Sequence, residues 1–133
     1  MGDLSENFSR SEFACTCGCG FDTVDVELIE ALEGCRRYFA ETLEQDVYIQ
    51  ITGPNRCREH NMEVGGALLS QHVFARAVDH KVFIEENNDP ISPEDVYEYY
   101  DHFYPNKFGL GLYSNRVHFD TRSGNAARWD KTS

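Results

Sequence analysis

Apolar residues recur along this chain with two periods, and each change of period marks a new element. From Asp22-Thr23 onward, Leu28, Leu32, Cys35, Phe39 and Leu43 fall three or four positions apart, the spacing that lines side chains along one face of an α-helix. Glu27, Glu30, Glu33, Arg36 and Arg37 stand between them, so the helix is predicted to bury one stripe and solvate the rest. The period then drops to two. Val47, Ile49 and Ile51 alternate with Tyr48, Gln50 and Thr52, which predicts a strand with one buried face, ended by Gly53-Pro54. Arg56 to Val64 is read as a short helix stopped by Gly65-Gly66.

Ala77 to Ile84 is the next predicted strand, and Asn87-Asn88-Asp89-Pro90 a turn. Ser92-Pro93-Glu94-Asp95 opens a helix: serine caps it, proline sits at its first position, and the acids meet its dipole. That helix is expected to turn Val96, Tyr99, Tyr100 and Phe103 inward. Gly109 to Tyr113 and Arg116 to Asp120 read as a hairpin around Ser114-Asn115. Near the start, Ser9-Arg10-Ser11-Glu12 before Phe13-Ala14 reads as a short capped turn. The tail after Arg122 reads as loop, anchored by Trp129. Helices first and strands later, without βαβ regularity, predict an α+β fold with a small antiparallel sheet flanked by helices. Residues 1–133 are expected to form one domain.

Composition narrows the partners. Hydrophobic residues at 41% and aromatics at 13% can furnish a core, whereas a net charge of −11 repels phosphate backbones and argues against nucleic acid as a partner. No apolar run approaches a membrane span, and Met1 to Glu6 lacks a basic, apolar signal region, so cytoplasmic synthesis without membrane insertion is expected. The five cysteines, Cys15, Cys17, Cys19, Cys35 and Cys57, are an odd number without a secretory signal, which makes a disulfide framework a poor reading. Reduced thiols in a tight loop are the expectation for Cys15-Thr16-Cys17-Gly18-Cys19. A metal shared with Cys57 is the lesser reading, because zinc signatures space their thiolates by two or more residues.

The chemistry gathers around Ser70-Gln71-His72 and Asp79, with His118 supplied from Val117-His118-Phe119-Asp120. Two imidazoles and a carboxylate are donors that zinc accepts, and three protein ligands leave a fourth position open, as a hydrolase requires. Strand alternation puts Arg116, His118 and Asp120 on one face, with Val117 and Phe119 toward the core. Amide hydrolysis also needs a proton acceptor and a cation for the substrate's carboxylate. Arg56 is the candidate cation.

These residues resemble a known family. Ser70-Gln71-His72 through Ala77-Val78-Asp79 is similar to the S-x-H-x-x-G-x-A-x-D signature of the M15 metallopeptidases, which include zinc D-alanyl-D-alanine carboxypeptidases and phage endolysins. Phe8 to Phe13, Cys17 to Gly20, Arg56-Cys57, His60-Asn61, Val64 to Gly66, Gly109 to Arg122 and Arg128-Trp129 resemble the short phage and prophage branch in consistent order. The resemblance implies zinc on His72, Asp79 and His118, with Arg56 on the substrate carboxylate and Ser70 and Gln71 beside the substrate. It implies the fold shared with the amino-terminal signalling domain of hedgehog proteins. It also implies cleavage of peptidoglycan stem peptides or cross-links; a monomer is expected, released to the wall by a phage-type route. Three positions depart from the pattern: Ala75 replaces the signature glycine, Asn55 a tyrosine, and Asn115 the acidic base of many relatives. An amide cannot accept water's proton, so Asp120 is the expected substitute base; its alternative role is to orient His118 or pair with Arg122. The rival to an enzyme is a non-catalytic zinc domain of the same fold that binds wall peptides or a protein partner.

Overall fold

In the computed structural model, residues 4–5, 7–13, 25–53 and 77–132 are described. The helix expected over 56–64 and residues Arg56, Ser70, Gln71, His72 and Ala75 lie outside them, as do Cys15, Cys17, Cys19 and Cys57. The described elements are α1 (Val26–Leu43), β1 (Val47–Gly53), β2 (Ala77–Ile84), α2 (Pro93–Phe103), β3 (Gly109–Tyr113), β4 (Val117–Asp120) and β5 (Ala127–Lys131). A 3-10 turn, Arg10–Phe13, precedes them. There the Glu12 carboxylate accepts from the Ser9 N–H at 2.6 Å, half of the reciprocal cap that the sequence predicts.

Helix α2 begins as expected, with Pro93 in its first turn and Ser92 Oγ accepting from Asp95 N at 3.2 Å. The five strands form one sheet in the order β1-β2-β4-β3-β5. All neighbours are antiparallel except β3 and β5, which run parallel. The small antiparallel sheet expected is present and gains one parallel pair, because the tail expected as loop supplies a fifth strand. Arg128 explains why that tail stays in place. Its guanidinium donates to Asp101 and to the carbonyls of Tyr104, Lys107, Phe108 and Ala127, tying β5 to the segment that joins α2 to β3.

Both helices contact the sheet. Inward residues Val47, Ile49, Val78, Val82, Val117 and Phe119 are buried with Leu28, Leu32, Cys35, Val96 and Tyr100. Tyr100 stacks on Phe119 at 4.2 Å between ring centroids. Its hydroxyl lies 2.8 Å from Nε2 of His80, a buried core histidine whose pKa burial lowers to about 4. Two stripe residues are not buried as expected. Leu43 and Phe103, one at the end of each helix, flank an open groove of about 740 Å³ lined by Tyr38, Tyr99 and His102. No described helix is long and apolar enough to cross a membrane.

Burial pushes the Cys35 thiol up to about 12, against an opposing hydrogen bond from Tyr100. The folded chain therefore keeps a neutral thiol where the unfolded chain ionises, at about pH 8.5. Stability from this group is complete below that pH and is lost as pH rises toward 12. Burial also raises Tyr99 and Tyr100, adding the same sign from about pH 10. The urea midpoint should fall steadily above pH 8.5, and Cys35→Ala should flatten the section between 8.5 and 10. An unchanged slope in that variant would show that the thiol does not carry it.

Candidate functional site

The helices cover one face of the sheet, and alternation sends Asp79, His118 and Asp120 to the other. Register places them together: Asp79 lies opposite His118 across β2 and β4. The Asp79 Oδ1 and His118 Nδ1 atoms are 3.0 Å apart. The other ring nitrogen, Nε2, meets Asp120 Oδ2 at 2.7 Å. Asp120 is fully buried, and Arg122 grips both its oxygens, Nε to Oδ1 and Nη2 to Oδ2, each at 2.7 Å. The Arg122 backbone N–H also donates to Oδ1, at 3.2 Å. Thus Arg122, Asp120, His118 and Asp79 form one continuous polar chain on the outer face.

Charge follows this geometry. Burial works to raise the Asp120 carboxyl, but the Arg122 and His118 hydrogen bonds outweigh it and hold the group well below the usual carboxylate range. Burial works to lower His118, and its bonds to Asp120 and Asp79 reverse that, leaving its pKa raised. With an anion beside each nitrogen, the ring favours carrying both protons.

The same arrangement fits a zinc ion. A tetrahedral site with bonds of about 2.0–2.1 Å spaces its donor atoms about 3.3 Å apart, close to the Asp79–His118 separation of 3.0 Å. A metal-binding imidazole typically donates its second N–H to a carboxylate, which fixes the tautomer. Asp120 stands where that acceptor is needed. The described residues do not themselves assemble three or more His, Cys, Asp or Glu into a metal cluster. Of the three expected ligands the structure brings together Asp79 and His118; His72 lies outside the described residues. Asp120 was expected first as a base. Both its oxygens are engaged and its surface is fully buried. Asn115 lies on the turn and accepts from Arg116 Nη1 at 3.1 Å.

Strand glycines make room for these groups. A Cβ at Gly53 would come within 2.6 Å of the Asp79 carboxylate. One at Gly109 would strike the Asp120 carboxylate and Arg122 Nε, and one at Gly111 the indole of Trp129. Trp129 packs on His118 with ring centroids 5.0 Å apart, and its Nε1 donates to Tyr113 Oη at 3.0 Å. This wall was not read from the sequence. The available signal was Gly109-x-Gly111 within a strand opposite Val117 to Asp120, since strand glycines mark close approach. Gly111→Ala should displace the indole and destabilise the fold by about 1–3 kcal/mol. Denaturation should show the loss, with a red shift in emission from Trp129, the sole tryptophan. Unshifted emission would mean that the indole keeps its seat.

Among family models, that of Peptidase M15 matches residues 6–120. No curated protein and no solved structure matches the chain.

Proposed function

The chain belongs to the Peptidase M15 family, and we propose from that premise that it is a zinc-dependent peptidase acting on peptidoglycan stem peptides or their cross-links, as a monomeric lysin of phage or prophage type. Membership supports a peptidase of the zinc metallopeptidase kind; the wall substrate and the lysin role are this reading's own. The observation that carries it is the Asp79–His118 pair, 3.0 Å apart, with the far side of the ring anchored on Asp120. His72, Asp79 and His118 would hold the ion, which supplies a Lewis acid and makes water a nucleophile near neutral pH. Arg56 would take the substrate's carboxylate, with Ser70 and Gln71 beside it. Asp120 holds His118 in the tautomer that presents Nδ1 to the ion. The proton-accepting role then passes to a carboxylate outside the described residues, for which Glu59, three positions after Arg56, is the candidate.

One observation favours the non-catalytic alternative: Asp120 has both oxygens occupied, and Asn115 cannot serve as a base. Digestion of purified peptidoglycan separates the readings. The enzyme should release peptide products of defined mass, lose that activity with a chelator and regain it with zinc. Folded, zinc-loaded protein that releases nothing would leave a binding domain. Product masses would also distinguish an endopeptidase cut from a carboxypeptidase cut.

A further inference from the structure

Two arginines flank His118, Arg116 just before β4 and Arg122 just after it, and they are used differently. Arg122 commits Nε and Nη2 to Asp120. Arg116 stands 3.9 Å from Asp79 Oδ2 through Nε, within ion-pair reach but beyond a hydrogen bond. It is held instead by neighbours of its own turn. The guanidinium carbon lies 4.1 Å from the Tyr113 ring centroid, and Nη1 donates to Asn115 Oδ1 at 3.1 Å. Its side chain is 36% exposed. A guanidinium carries five N–H donors, and among the described residues those on Nη2 meet no acceptor. A cation posed by a ring and an amide, rather than closed onto its nearest carboxylate, is prepared for an anion that arrives from outside.

The geometry points to Arg116 as a specificity residue that binds a carboxylate of the substrate beside the Asp79–His118 centre. This rests on the peptidase reading and deepens it: the favoured peptides are acidic close to the bond that is cut. Stacking on Tyr113 fixes the plane of the fork, so a carboxylate can take two parallel N–H bonds with little reordering. The anion is a carboxylate on the amino side of the bond that is cut, since Arg56 would take the peptide's terminal one.

Trp129, 5.0 Å from His118, gives a binding readout that does not require turnover. Zinc-loaded protein is titrated with acetyl-D-alanyl-D-alanine, its C-terminal amide, and succinyl-D-alanyl-D-alanine amide. Acetyl-D-alanyl-D-alanine reports the terminal carboxylate assigned to Arg56 and serves as the control, while wild type should bind the succinyl amide about tenfold or more tighter than the acetyl amide. Arg116→Met should abolish that preference, Arg116→Gln should do the same, and Arg116→Lys should keep part of it because charge remains while the fork is lost. Preference retained in both neutral variants, or absent from wild type, overturns the assignment. Peptidoglycan digestion with the same preparations separates it from the peptidase reading. Digestion by wild type with preference unchanged in the neutral variants sinks Arg116 alone. Lost preference in those variants with an uncut wall keeps the anion site and sinks the peptidase.

Discussion

Replacing His118 with alanine should take the protein from about one bound zinc per chain to almost none, because the variant loses a donor that is already oriented on both sides. The wild-type ring faces Asp79 through Nδ1 and is braced by Asp120 through Nε2, so little reordering opposes metal binding. Zinc that binds the folded chain and not the unfolded one stabilises it by about 4.1 kcal/mol at a thousandfold excess over its dissociation constant. Wild type should therefore melt at a clearly higher temperature with zinc than with chelator, and His118→Ala should melt alike in both. The wild-type affinity should also fall with pH. Below the raised pKa of His118, zinc must displace a proton from Nδ1. Metal analysis after dialysis decides the matter, and His72→Ala should behave as His118→Ala does. Unchanged zinc in either variant would move the metal away from this centre and toward Cys15, Cys17, Cys19 and Cys57.

The parts of the fold that could be read from the sequence are those whose burial is set by one periodicity. Val47, Ile49 and Ile51 alternate because β1 has a buried face, and Ala77–Ile84 forms the strand expected of it. The hairpin is closed by the Tyr113 N–H donating to the Arg116 carbonyl at 3.0 Å, where Ser114-Asn115 marks the turn. Strand β5 escaped because Ala127-Arg128-Trp129-Asp130-Lys131 has no apolar alternation. Its place depends on parallel pairing with β3 and on Arg128 collecting carbonyls from distant turns, neither of which leaves a periodic trace. Leu43 and Phe103 fit their helical stripes, yet spacing cannot say where the opposing surface ends. At the site, alternation placed His118 and Asp120 on one face, but it carries no information about what covers that face. Arg122 and Trp129 come from the chain that follows: the first grips both oxygens of Asp120 and the second packs on His118.

The choice between the two roles of Asp120 can be made with Asp120→Asn. Its Oδ1 accepts from Arg122 N and Nε, and its Oδ2 from Arg122 Nη2 and His118 Nε2. An amide must put its NH₂ at one of these places, so a donor faces donors whichever way it turns. If the NH₂ faces His118, the imidazole is pushed to the tautomer with its proton on Nδ1, the nitrogen proposed for the metal. If it faces Arg122, a half-buried cation loses both its partner's charge and an oxygen that accepts from N and Nε. Breaking a buried ion pair costs about 3–5 kcal/mol, and the variant should fall toward the lower end because the Arg122 side chain is 26% exposed. Loss of a carboxylate that orients a metal ligand typically weakens the metal by 10- to 100-fold. Asp120→Asn should therefore be less stable and bind zinc about 10- to 100-fold more weakly, yet recover most peptide hydrolysis when zinc is raised to saturation. A general base predicts the opposite pattern: zinc affinity near wild type and hydrolysis still about 10²–10⁴-fold down at saturating metal. The zinc titration and the saturated rate, taken on one preparation, assign Asp120 to one role or the other.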